Sequence, residues 1–183
     1  MKNKLTKLEF KWICYDMGNS AFILLVATIL PIYFNYLSSS QGVAEYNYLS
    51  YWSYAASIST LIVALAGPIL GTLADYKDHK KKIFLTTAML GALALACFWI
   101  PSSWFAFLVL FIAAKVAYSL SLIVYDSMLT DITTEDRMDA VSSKGYAWGY
   151  IGSVVPFIIS LVFVLMYDKM GMTLKAAMMI AFI

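Results

Sequence analysis

The sequence predicts an all-helical membrane protein, and its composition, its charge-free runs and the placement of its lysines all point there. Of 183 residues, 62% are hydrophobic and 13% are charged. An ordinary soluble domain is roughly half apolar and about a quarter charged. A water-soluble fold of this composition would expose large apolar patches, a penalty that lipid removes. Stretches 17–44, 46–74, 83–114 and 145–167 contain no Asp, Glu, Lys or Arg, and a spanning helix needs ~20 mostly apolar residues. Inside lipid each backbone N–H and C=O must be satisfied within its segment, so these runs are helices. The lysines come in short clusters between apolar runs, which argues against a nucleic-acid surface.

Helix 1 is predicted over about 11–37. The basic segment Met1 to Lys11 before an apolar run imitates a signal peptide, but the run is too long and more spans follow, so it reads as a retained helix. Helix 2 is predicted over 49–74 and helix 3 over 82–100. Pro101-Ser102-Ser103 breaks the long run 83–114 into a tight hairpin, which places helix 4 over about 104–130. Helix 5 is predicted over 142–166, and a sixth starts near Met172 with 12 residues before the sequence stops. Twelve residues rise ~18 Å, short of a ~30 Å hydrocarbon core, so helix 6 is expected to be truncated in mid-span. Pro31, Pro68 and Pro156 fall inside spans as kink positions. Tyr46, Tyr48, Tyr51, Trp52, Trp99 and Trp104 gather at one set of span ends and read as an interfacial belt. Cys14 and Cys97 read as small core residues.

Charge sets the expected orientation. Lys2, Lys4, Lys7 and Lys11 precede helix 1; Lys77, Lys80, Lys81 and Lys82 lie between helices 2 and 3; Arg137 and Lys144 lie between helices 4 and 5. These ten share one side, against Lys169 and Lys175 on the other. The positive-inside rule then places the N-terminus in the cytoplasm of a multi-pass protein, expected in the plasma membrane.

Polar residues within the spans carry the functional information. A Lys or Asp at the centre of a spanning helix costs about 3 kcal/mol on insertion scales, so such residues face a cavity, a partner or the bundle interior. Helix 1 carries Asp16, Asn19 and Ser20 at i, i+3 and i+4, on one face. Helix 4 carries Lys115, Ser119 and Asp126 at i, i+4 and i+11, also on one face, with Tyr118 and Tyr125 beside it. Helix 3 has no charge within its span and reads as lipid-facing. Asp16 and Asp126 sit at similar shallow depth near the basic ends of their helices, where both a structural and a functional reading stand. Lys115 lies 11 residues from Asp126, ~16 Å along the axis. From there it cannot easily snorkel to water, which favours a cavity-facing role. Gly67-x-x-x-Gly71 and Gly145-x-x-x-Gly149, with Gly152, read as close helix packing. The acid-rich stretch Asp131 to Asp139 around Arg137, like His79, reads as solvated loop.

Two passages resemble a known family. Gly71-Thr72-Leu73-Ala74-Asp75, followed by Lys77, Lys80 and Lys81, resembles the G-x-L-A-D-R-x-G-R-R/K signature between helices 2 and 3 of the major facilitator superfamily. Tyr76, Asp78 and His79 depart from it. Tyr15-Asp16-x-Gly18-Asn19-Ser20-Ala21 with Pro31-Ile32-Tyr33-Phe34, and the segment Ser142 to Gly152, resemble the vacuole-effluxer-like branch of that superfamily. The resemblance implies the N-terminal six-helix half of a major facilitator fold, with helices 1 and 4 lining a central cavity. Its partners would be the bilayer, a small solute with a coupling ion, and a missing C-terminal half. It implies secondary transport by alternating access, with an association to amino-acid efflux, and no cofactor, metal or catalytic residue. It also implies that Asp75 and the loop residues Gly71, Lys77, Lys80 and Lys81 form a conformational latch between halves.

Two other classes compete. A non-transporting membrane subunit would use the glycine faces for packing alone. An intramembrane aspartyl protease would use Tyr15-Asp16 and Tyr125-Asp126, but the G-x-G-D motif it needs is absent.

Overall fold

A computed structural model describes residues 4–76 and 78–182. Lys2 and Lys77, counted above among the basic residues, lie outside the described residues. Within them every regular element is helical: α1 Lys7–Leu24, a π-helical turn Leu25–Ile29, α2 Leu30–Ser40, α3 Glu45–Ala74, α4 Lys80–Ala96, α5 Trp104–Ser127, α6 Leu129–Ile132, α7 Glu135–Met166 and α8 Leu174–Phe182. Four helical stretches, Lys7–Ser40, Glu45–Ala74, Trp104–Ile132 and Glu135–Met166, are long and apolar enough to cross a membrane. α4 has 17 residues and rises ~26 Å.

The first long helix starts at a capping box. Thr6 Oγ1 accepts from the Glu9 N–H at 3.2 Å, and Glu9 Oε2 accepts from the Thr6 N–H at 2.7 Å. Midway, Pro31 has no N–H and its ring would crowd the carbonyl of Ala27 in a regular α-helix. The π turn relieves this: the Leu30 N–H reaches back to Leu25 O, and Thr28 Oγ1 donates to Leu24 O at 2.6 Å. The helix therefore passes the proline unbroken and runs over 7–40, beyond the expected 11–37 at both ends.

Three other expectations are corrected. The helix expected from residue 142 begins at Glu135, because extended Thr134 precedes it and Glu135 and Asp136 complement the positive helix end. The stretch 131–139 is therefore the end of α6, the link Thr133–Thr134 and the first turn of α7; its four acids are exposed as expected, but most of it is helix and not loop. The helix expected to reach residue 100 stops at Ala96, and a turn closed by Ile100 N to Cys97 O at 3.0 Å leads into Pro101. Cys14, read as a core residue, is exposed on the flank of α1.

Packing follows side-chain size. α1 lies directly along α7, where glycines let the backbones approach. A Cβ on Gly145 would meet Trp12 Cζ3 at 2.7 Å, and one on Gly152 would meet Met17 Cε at 2.9 Å. On the α3–α5 contact, a Cβ on Gly67 would meet Ile123 Cδ1 at 3.0 Å. By contrast, aromatic side chains bridge α1 to α5. The rings of Trp12 and Tyr125 stack at 4.4 Å. Each also donates to the other's carbonyl: Trp12 Nε1 to Tyr125 O at 3.2 Å, and the Tyr125 hydroxyl to Trp12 O at 3.0 Å. At the far end a larger aromatic core joins Tyr33, Phe34, Trp52, Phe98, Phe107 and Phe111. α8 closes this end, with Phe182 against Phe98 at 5.6 Å. The outward side of α4, with Leu85, Met89, Leu90 and Leu93, stays exposed.

Candidate functional site

A polar cavity of about 220 Å³ lies where α1, α5 and α7 converge. α1 supplies Asp16, Asn19 and Ser20; α5 supplies Tyr118 and Asp126; α7 supplies Tyr146, Tyr150 and Ser153. Apolar Ile23, Leu24 and Leu122 complete the wall. In spans that are otherwise apolar, these groups converge on one place.

Gly149 makes the room. A Cβ there would stand 2.7 Å from Ser20 Oγ and 3.2 Å from Asp16 Oδ2. The Asp16 and Ser20 side chains thus occupy space that any larger residue on α7 would take. On the other wall, Asn19 Nδ2 donates to the Tyr118 hydroxyl at 3.4 Å, and the Tyr118 ring stacks on Phe22 at 4.3 Å. Ser121 Oγ donates to Tyr118 O at 2.7 Å, so at its 3.1 Å contact with Tyr15 the tyrosine hydroxyl is the donor. Tyr15 and Tyr125 are thereby engaged in the α1–α5 contact. Asp126 is exposed and Asp16 is half-buried.

Lys115 is placed elsewhere. Its Nζ donates to Ala56 O at 3.4 Å and lies 5.9 Å from the Phe111 ring centroid. It faces a separate groove against α3 with Ser57 and Thr60. Asp16 and Asp126 therefore share a cavity that Lys115 does not enter. Ser119 is half-buried on α5 and lines neither space.

In the loop between α3 and α4, Asp75 is the exposed C-terminal cap of α3 and Lys81 is exposed on α4. Lys80 Nζ pairs with Asp131 Oδ2 at 2.7 Å, tying this loop to α6. A Cβ on Gly71 would meet nothing within 4 Å. Lys77 lies outside the described residues.

The sequence reading missed two features. Tyr146, Tyr150 and Ser153 recur at i, i+4 and i+7, a helical face that could have been found beside the glycines. Glu9 is 1% exposed and collects Thr133 Oγ1 at 2.7 Å, Arg137 Nε at 3.0 Å and an Arg137 terminal nitrogen at 2.8 Å. Its signal was Thr6-x-x-Glu9, the capping-box pattern. This network binds the start of α1 to the start of α7 and corrects the solvated reading of Arg137.

Residues 6–139 match the family described as "Vacuole effluxer Atg22 like". The chain is 37% identical over 188 residues to the "Uncharacterized MFS-type transporter YxiO" of Bacillus subtilis (strain 168). That match covers 100% of this chain and 44% of the relative, so the chain spans less than half the relative's length. No solved structure matches.

Proposed function

This chain belongs to the Atg22-like vacuole effluxer family of major facilitator-type membrane proteins, and from that premise we propose that it forms one half of a secondary transporter. It would carry a small solute across the plasma membrane by alternating access, rocking against a second half around a site between them. The observation that carries this reading is the convergence of Asp16, Asn19, Ser20 and Asp126 on one cavity with the α7 tyrosines. Carboxylates placed within spanning segments are costly and mark solute or ion pathways. Here they would take a cationic group, either the coupling ion or an ammonium of the solute; the α-ammonium of an amino acid would satisfy the second. Lys115, in its own groove, would take an anionic group of the solute or an acid of the second half. The loop Gly71, Asp75, Lys77, Lys80 and Lys81 would act as the latch that holds the halves in one state.

The test is transport by the complete two-half protein in proteoliposomes. Losing one charge-assisted hydrogen bond costs ~1.5–3 kcal/mol, so Asp16→Asn and Asp126→Asn should each lower solute flux about tenfold or more. Both variants should insert at wild-type levels. Undiminished flux in both would sink the cavity assignment. Absence of flux for any solute in the wild-type protein, with stable insertion, would instead support a non-transporting subunit.

A further inference from the structure

On the opposite flank of α1 from the polar cavity lies a second space with a different chemistry. A groove of about 620 Å³ opens at the N-terminal end of the bundle between α1, α4 and the α5–α6 corner. Its rim carries Lys11, Lys80 and Lys81 with Asp78 and Asp131; its floor is apolar, built from Leu8, Trp12, Phe84, Leu85, Met128 and Ile132. Three lysines against two aspartates leave one net positive charge. Lys80 is committed to Asp131 at 2.7 Å. Among the described residues neither Lys11 nor Lys81 has an acid within ion-pair distance, and both are exposed.

The groove does not end at this floor. A second cavity of about 330 Å³ continues along the same seam between α1 and α4, sharing Tyr15 with the first. Its walls are nearly free of charge, and Gly18, Ala88, Gly91 and Ala92 keep it open. From Lys11 to Phe22 the seam runs ~16 Å along α1, and from Lys81 to Leu95 it runs ~21 Å along α4. One leaflet of a ~30 Å hydrocarbon core is about as deep.

We propose that this seam is a binding site for one anionic glycerophospholipid. Lys11 and Lys81 hold its phosphodiester at headgroup level, and an acyl chain lies inward past Phe84 and Tyr15 into the small-residue cavity. The single net charge of the rim matches the single negative charge of a phosphatidylglycerol, which a zwitterionic phosphatidylcholine does not offer. Basic pockets between spanning helices hold anionic headgroups in this way. A soluble phosphate would satisfy the lysines but leave the apolar floor and the inner cavity in contact with water. The lysine rim and apolar floor share no lining residue with the polar cavity, and only the inner end meets it, across Asn19 and Tyr118, so the headgroup site stands whether or not that cavity carries solute.

The full-length protein is extracted from vesicles holding equal phosphatidylglycerol and phosphatidylcholine, and its retained lipid is counted by native mass spectrometry. Wild type should retain phosphatidylglycerol about tenfold over phosphatidylcholine. Lys11→Gln/Lys81→Gln should lose that preference. Lys7→Gln/Lys82→Gln, with the same net charge but lysines outside the groove, should keep it. Leu85→Ser, at a position already 56% exposed, should weaken retention without unfolding the protein. Equal losses from the two lysine pairs would mean diffuse surface attraction and overturn the site. So would full displacement of the lipid by soluble glycerol phosphate, or no preference in wild type.

Discussion

At the scale of single residues, two glycines on α7 face the same helix and should behave differently. A Cβ on Gly145 would strike Trp12, whose ring is fixed by stacking on Tyr125 and by a hydrogen bond at 3.2 Å. A Cβ on Gly149 would strike the hydroxyl of Ser20, which can rotate away. Gly145→Ala should therefore destabilise the fold by the usual ~1–3 kcal/mol of an overpacked contact, read as a lowered melting temperature in detergent. Gly149→Ala should leave the melting temperature nearly unchanged and impair solute flux, because the displaced groups belong to the cavity. The reverse pattern would refute this division of labour. Lys115 supports a second residue-scale prediction. Lys115→Met keeps the length and removes a charge that is costly in lipid. Insertion should stay intact or improve, and solute binding should be lost or change its pH profile. Wild-type flux at all pH values would make Lys115 a tolerated structural residue. The glycine and aspartate spacings behind these predictions could be read from the sequence, since helical period alone sets which residues share a face. The separation of Lys115 from Asp126 could not, since it depends on where α3 and α7 pack around α5.

At the scale of elements, the ends of α1 and α7 are joined by a charge pair. Glu9 is 1% exposed and its Arg137 partner is 2.8 Å away with its side chain 29% exposed. Removing one partner of a buried pair leaves an uncompensated charge and costs ~3–5 kcal/mol, whereas removing both can be nearly neutral. Arg137→Gln should thus destabilise the protein, by less than the loss from a fully buried pair because Arg137 is itself partly exposed. Glu9→Gln/Arg137→Gln should recover most of that loss, measured by denaturant unfolding in micelles. A double variant no better than the single would show that the network contributes through geometry rather than charge. The elements themselves differ in how legible they were. Long apolar runs marked the spans, but the start of α7 at Glu135 was missed because its first turns are polar, and polar turns imitate loops. The π turn before Pro31 was likewise invisible, since the sequence marks the proline but not how the backbone absorbs it.

At the scale of the whole molecule, the charge asymmetry sets an expected topology. Cysteines introduced at His79, Glu45 and Met170, all exposed, in a chain lacking Cys14 and Cys97, should divide into two classes. Position 79 should react with impermeant reagent only from the cytoplasm, and positions 45 and 170 only from outside. Labelling of position 79 in intact cells would invert the orientation. In the bundle α1 packs along α7, α5 packs along both α3 and α4, and α8 rests mainly on α7.

The sequence by itself determined the class of the molecule. A 62% hydrophobic composition broken into charge-free runs leaves lipid as its solvent and helices as its elements, because backbone polarity in lipid leaves little choice. The motifs in helix 1 and in the loop after helix 2 placed it within a family. Tertiary structure decided which polar residues meet. Asp16 and Asp126 share a cavity because three glycines bring α7 against α1 while bulky rings hold α5 at a distance. The same rings open the α1–α4 seam on the other flank. Contacts between residues more than a hundred positions apart, such as Glu9 with Arg137, depend on how helices choose neighbours, and helical period carries no record of that choice.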